Sequence, residues 1–181
     1  GFPLPLLPTQ ILWLNLVTDT GSGLGLAVEP SHNGLEEENP KNPKENILTR
    51  EVVPFMVLMS VTMVILTILT FAFFFYYGID KARTGAFVIM ALTQLFNAVN
   101  MRSLKKSVFK IGLFSNKYLN ILLVVSFALV LGVIYIPFFQ GIFQFAYLGL
   151  WEFLILFALS SLILWLGEGY KKMKGLREKK K

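Results

Sequence analysis

The pattern of apolar and polar positions divides the chain into five long apolar stretches separated by shorter polar ones. A helix needs roughly 20 mainly apolar residues to cross the hydrocarbon core of a bilayer. Stretches of about this length lie at residues 9–28, 52–77, 85–101, 118–138 and 145–167. The first and third carry the most polar side chains, whereas the second contains the aromatic run FAFFFYY, which we expect to face lipid.

These stretches predict helices, because in lipid every backbone polar group must find its partner within the segment. The sequence therefore predicts an all-α fold, a polytopic transmembrane bundle of about five helices joined by short loops. Composition supports this prediction, since 55% of the 181 residues are hydrophobic and 17 are Phe, which is too apolar for an ordinary soluble domain.

The distribution of Lys and Arg predicts the orientation of the bundle. Most of these residues lie in the segments after the first and third stretches and in a basic tail at residues 168–181. The positive-inside rule places all three in the cytoplasm, so the first stretch begins outside and the C-terminus lies inside. We expect an integral protein of the plasma (inner) membrane. Without interleaved aromatic residues, the basic tail indicates the lipid bilayer as partner and no nucleic acid.

Composition also excludes several kinds of site. The chain has no cysteine, which rules out disulfides and thiolate metal sites. Its only histidine, His32, lies in a polar loop, so neither a His-rich metal site nor a Ser-His-Asp triad fits within this chain.

The first stretch contains a stripe of oxygen-bearing side chains. Asn15, Thr18 and Asp19 are spaced i, i+3 and i+4, so an α-helix places them on one face. A carboxylate at membrane depth is costly and must face a partner, a cation or water. Hard cations such as Ca²⁺ bind several oxygen ligands of these types. The glycine-rich run TGSGLG follows directly, and we expect it to interrupt the helix and free carbonyl groups.

The third stretch offers further amides. Gln94 and Asn97 are spaced i, i+3, and Thr93, Asn97 and Asn100 are spaced i, i+4 and i+7. The amides either complete a cation shell or form hydrogen bonds between helices. We favour hydrogen bonding for the two asparagines and leave both roles open for Gln94. Farther along, Glu168 precedes Lys171 by three residues, which predicts a local ion pair.

Four segments of the sequence resemble those of a known protein family. The segment LPLLPTQILWLNLVTDTGSGLGLAVEP closely resembles the sixth transmembrane helix of P-type cation-transporting ATPases, particularly the calcium pumps. QLFNAVNMRS resembles their eighth helix, FKIGLFSNKYL the entry to the ninth, and WEFLILFALSSLILWLGEGYKK the tenth. The resemblance covers essentially the whole chain, and the five stretches match helices six to ten of that family.

The resemblance implies roles for individual residues. Asn15 and Asp19 would be calcium ligands, and Thr18 occupies a position that helps form a second site in two-calcium pumps. Gln94 stands where the two-site pumps have Glu, so the chain resembles the one-calcium class, in which Mn²⁺ is also carried. Thr20 stands where the family usually has Gly, which affects the ligation by backbone carbonyls.

The resemblance also implies what must come from elsewhere. The sequence has no Asp-Lys-Thr-Gly phosphorylation motif and no nucleotide-binding or actuator domain. ATP and Mg²⁺ would belong to the full-length pump, whose N-terminal part, with helices one to five and the cytoplasmic domains, would be the partner of this segment. We therefore expect the C-terminal half of a pump's membrane domain. Two alternatives remain open: a stand-alone helical membrane anchor or partner-binding module without transport activity, and a small channel formed by oligomers.

Overall fold

The computed structural model describes residues 3–30, 52–104 and 106–178, with side chains to residue 175. His32 and its loop lie outside the described residues. Every regular element in the described ranges is helical, which confirms the predicted all-α fold. In chain order these elements are α1 (Pro8–Trp13), a π-helical segment (Leu14–Asp19), α2 (Thr20–Ala27), α3 (Val53–Phe75), α4 (Ile79–Met101), α5 (Val108–Ile111), α6 (Lys117–Tyr135), α7 (Pro137–Phe143) and α8 (Leu150–Glu178).

Four of these helices are long and apolar enough to cross a membrane. They are α3, α4, α6 and the part of α8 at Leu150–Gly175. The first predicted stretch is also helical, but it is divided into α1, the π segment and α2, which follow one another without a gap and have only six, six and eight residues. The structure therefore contains a helical counterpart of each of the five stretches.

Prolines set two of the boundaries. Pro8 occupies the start of α1, where its missing N–H costs nothing. Pro137 ends α6 early, because the residue before a proline is disfavoured in the helical region; Ile136 has φ −83° and ψ 119°. The chain restarts as the short helix α7 and reaches α8 only at Leu150, five residues after the predicted start of the last stretch.

The helix α4 lies at the centre of the bundle. It packs against α3 and α8, and more lightly against α6, α2 and the π segment. Within its most apolar stretch 67% of the residues are buried, compared with 22–28% in the other three long helices. Small side chains such as Ala82, Ala86 and Ala91 are fully buried and allow the neighbours to approach closely.

The aromatic run at the end of α3 faces two environments. Phe73 is 64% exposed and suits a lipid-facing surface, as predicted for the whole run. Phe71 and Phe74, however, are buried in the core, and the ring of Phe74 lies against Gly85 of α4. The prediction was therefore wrong for these two side chains. A helix that is apolar on all sides does not reveal in its sequence which side meets another helix.

Ion pairs fix α4 at both ends. Near its start, the Nζ atom of Lys81 lies 2.6 Å from the carboxylate of Glu152 in α8. Just after its end, the guanidinium of Arg102 lies 2.9 Å from the carboxylate of Glu29, which follows α2. Asn116, which caps α6, donates to the same carboxylate at 2.6 Å. This three-way contact joins the ends of α2 and α4 to the start of α6.

Candidate functional site

The candidate site is built around the π-helical segment, where the helix takes a wider turn. The backbone N–H of Thr20 donates to the carbonyl of Asn15, five residues earlier, and its hydroxyl donates to the same oxygen at 3.0 Å. The predicted interruption at the glycine run is wrong, since Thr20–Ala27 is an α-helix. The irregular turn comes one turn earlier and contains Asn15, Thr18 and Asp19 themselves.

The wider turn separates the three predicted ligands. Thr18 is fully buried, whereas Asn15 and Asp19 are exposed. In a π turn residues i and i+4 remain nearly in line, but residue i+3 falls farther to the side than in an α-helix. The structure therefore does not bring all three to one face. Asn15 and Asp19 share the uncovered side, and Thr18 points into the bundle.

Thr18 links the π segment to the central helix. Its hydroxyl lies 2.7 Å from Oε1 of Gln94 in α4, which accepts the bond, and also contacts the carbonyl of Leu14. The structure thus brings Thr18 and Gln94 together as a polar pair between two helices. Thr93, beside Gln94, bonds back to the carbonyl of Met90 at 2.9 Å.

The two asparagines of α4 behave differently from each other. Nδ2 of Asn100 donates to the carbonyl of Ile163 in α8 at 2.8 Å, which confirms the predicted bond between helices. Asn97 is half-buried, and its Oδ1 has no hydrogen-bond partner within the described part of the chain. The indole Nε1 of Trp13 is also buried without a partner there, although its ring packs edge-on against Phe143.

Ser126 is a contact that the sequence did not predict. Its hydroxyl donates to the carbonyl of Val17 in the π segment at 3.2 Å. It also lies 2.8 Å from where a Cβ on Gly21 would stand, so α2 and α6 approach closely here. A lone serine in the apolar stretch 118–138 was the available signal. The bond occupies one carbonyl of the wider turn and holds that turn against α6.

The uncovered side of the π segment offers a carboxylate and an amide in an apolar setting. Asp19 and Asn15 are accompanied there by Leu12 and Leu16, which are 66% and 65% exposed. Among the described residues no group of three or more His, Cys, Asp or Glu side chains is close enough to hold a metal ion. Ca²⁺ takes six to eight oxygens. Two side chains alone do not complete a shell of this kind.

Comparison with known proteins identifies relatives of the whole chain. A family model described as "Cation transporting ATPase, C-terminus" matches residues 3–173. The chain is 35% identical to Calcium-transporting ATPase 1 of Bacillus cereus over 90% of its length. It is 34% identical to human Calcium-transporting ATPase type 2C member 1 over 99% of its length, and 35% identical to Calcium-transporting ATPase 1 of Schizosaccharomyces pombe over 97%.

The match covers a small part of each relative. The chain spans about a fifth (20%) of the length of these three proteins. The family model describes the C-terminal region, which agrees with the resemblance to helices six to ten.

Proposed function

The chain belongs to the family of cation-transporting P-type ATPases, whose C-terminal region it matches, and from this premise we propose that it supplies one wall of the membrane site for Ca²⁺. Together with the four long apolar helices, this membership makes the chain an integral membrane protein. The choice of calcium is supported by the names of its relatives. Phosphorylation and ATP binding, with Mg²⁺, would take place in other parts of the transporter.

The observation that carries the proposal is the exposure of Asp19 in the middle of a helical run. An ionised carboxylate facing lipid is costly, so this side of the π segment must be covered by other helices or by a cation. Asn15 is exposed on the same side, and its amide oxygen is a second ligand of the type that Ca²⁺ prefers. The helices that precede this region in a complete pump would supply the remaining oxygens.

The contact between Thr18 and Gln94 supports a site for a single calcium ion. The hydroxyl of Thr18 donates to Oε1 of Gln94, so the two groups satisfy each other inside the bundle. A neutral amide at position 94 also brings no second negative charge to balance a second divalent ion. We place Asn15 and Asp19 at the ion and give Thr18 and Gln94 a role in positioning the π segment. The same oxygen ligands would accept Mn²⁺ as an alternative cargo.

The remaining helices fit the role of a scaffold. The central helix α4 is held by ion pairs at both ends and by Asn100, which bonds to α8. Movements that open and close the cation site would therefore involve the uncovered side of the π segment, with α3 to α8 staying fixed. We further propose that the C-terminus lies in the cytoplasm, as the distribution of Lys and Arg predicts. The lack of cysteine together with these basic segments fits a plasma membrane.

The test is the substitution Asp19→Asn in the complete transporter, measured as phosphorylation by ATP over a range of calcium concentrations. Loss of the Asp19 carboxylate should raise the calcium concentration needed for half-maximal phosphorylation by about 100-fold or more. Asp80→Asn is the matched control, because Asp80 is exposed in the first turn of α4, in another part of the fold. Unchanged calcium dependence in Asp19→Asn would remove this residue from the site.

A further inference from the structure

A second candidate site lies in a lysine-lined cavity between α5 and the C-terminal part of α8. A cavity of about 670 Å³ lies there, and none of its lining residues belongs to the π segment. Its volume falls within the range of small-molecule sites, roughly 300–1,000 Å³. The backbone N–H of Val108 donates to the carboxylate of Glu168 at 3.1 Å, which holds α5 against α8 and so forms the cavity.

The lining of this cavity is strongly positive. Among the described residues it includes four lysines, Lys106, Lys110, Lys171 and Lys172, and one carboxylate, that of Glu168. Lys171 is buried and lies 3.0 Å from Glu168, as the spacing of the two residues predicted. Because this pair neutralises itself, the charges of Lys110 and Lys172 give the cavity a positive field. Such a field attracts an anion.

An aromatic wall lies beside the lysines. The rings of Phe109 and Trp165 are stacked, with centroids 6.1 Å apart and planes at 25°, and both residues line the cavity. Trp165 is 59% exposed, at the point where the apolar part of α8 gives way to the charged sequence after Gly167. Tryptophan prefers this depth at a membrane interface. The cavity therefore joins a cationic region to an apolar one at the level of lipid headgroups.

We propose that this cavity binds the phosphate-bearing headgroup of an anionic phospholipid. Lys110 and Lys172 would contact the phosphate, while the Phe109–Trp165 wall would lie along the glycerol and the first part of an acyl chain. A free phosphate ion has the same anionic chemistry but would make no use of the aromatic wall. The proposal relies on the orientation proposed above in one respect: the lysines face the cytoplasmic leaflet, where anionic lipids are abundant.

The test uses Trp165 as a local reporter. The complete transporter is placed in phosphatidylcholine vesicles that contain a small fraction of brominated phosphatidylglycerol or, in parallel, brominated phosphatidylcholine. The quenching of Trp165 is the difference between the protein and its Trp165→Phe variant. We expect the anionic lipid to quench Trp165 at least about fivefold more effectively than the neutral one, since each lysine near an anionic surface contributes about fivefold.

Two variants and one control assign the effect to the cavity. Lys110→Gln combined with Lys172→Gln should remove most of the preference for the anionic lipid. Gly169→Leu should do so without any change of charge, because Gly169 lines the cavity and a Cβ there meets nothing within 4 Å, which leaves room for the larger side chain to fill the space. Lys117→Gln is the matched control, because Lys117 is exposed, lies at the start of α6 shortly after α5, and does not line the cavity.

Three results would overturn the proposal. The first is equal quenching by the two lipids, and the second is a loss in Lys117→Gln as large as in the double variant. The third is displacement of the anionic lipid by millimolar glycerol phosphate, which would identify a soluble phosphate ester as the ligand. The lipid preference should persist in Asp19→Asn, so a failure of the calcium proposal and a failure of the lipid proposal give different patterns.

Discussion

The side chain of Arg102 is almost fully enclosed, and its surroundings explain why a buried charge is tolerated there. Only 1% of its side chain is exposed. It donates two bonds to Glu29 from Nε and a third from Nη2, and Nη1 donates to the carbonyl of Gly112 at 2.9 Å. A buried charge is acceptable when its donors are satisfied in this way, and removal of one partner leaves the other uncompensated.

Replacing Arg102 should therefore destabilise the bundle. We expect Arg102→Met to lower the free energy of unfolding in detergent by about 2 kcal/mol, below the usual cost for a fully buried pair because the Glu29 side chain is 14% exposed. Adding Glu29→Gln should restore part of the loss, since a neutral amide does not need the charge of the guanidinium. Arg83→Met is the control, because Arg83 donates a longer bond of 3.3 Å to Leu4. Equal losses for Arg102→Met and Arg83→Met would contradict this account.

At the scale of single residues, the sequence predicted the types of interaction better than the side of the helix on which each side chain lies. The pair Glu168–Lys171 and the bond from Asn100 to another helix followed from spacing and residue type. The inward direction of Thr18 did not, because it depends on a π turn, and the sequence pattern was interpreted with the α-helical period. The partner of Thr18, Gln94, was a candidate with two roles left open, and the structure shows it in one of them, a hydrogen bond between helices.

Among the helices, the contact between α2 and α6 depends on two glycines. A Cβ on Gly25 would stand 2.8 Å from the Cα atom of Leu119, and one on Gly21 would stand 2.8 Å from the hydroxyl of Ser126. The two glycines are four residues apart and so lie on the same face of α2. Small residues at this spacing let helices pack closely in a membrane. The glycine run thus serves packing between helices and does not interrupt the helix.

Gly25→Ala tests this packing role. The added methyl group meets backbone atoms that have little freedom to move, so we expect a loss of about 1–3 kcal/mol in the free energy of unfolding. Gly23→Ala is the matched control on the opposite side of the same helix, where a Cβ meets nothing within 4 Å. It should be neutral or stabilise by up to about 1 kcal/mol through helix propensity. The account fails if the two variants unfold at the same detergent concentration.

The bounds of the helices were predicted only in part. The length of the apolar stretches correctly predicted a helical region for each of the five, because a helix that crosses a bilayer needs about 20 apolar residues. The early end of α6 depends on the restriction that Pro137 imposes on Ile136. The start of α8 is late because the separate seven-residue helix α7 comes before it. Apolar runs alone carry no signal for such breaks.

For the molecule as a whole, α4 is the packing centre, and the polar wall lies on the uncovered side of the π segment. The fold class was predictable because five apolar stretches fit few other arrangements. The choice of α4 as the central helix could be anticipated from its small and polar side chains. The face of each apolar helix that meets a neighbour could not, because in lipid both faces are equally apolar.

The central claim is that Asp19 faces a single transported calcium ion. It is tested most directly by equilibrium binding of radioactive calcium to the purified complete transporter. We expect about one ion per molecule in the unmodified protein and in Asp80→Asn, and less than about one tenth of an ion in Asp19→Asn at the same calcium concentration. Binding of the same number of ions with unchanged affinity in Asp19→Asn would contradict the account.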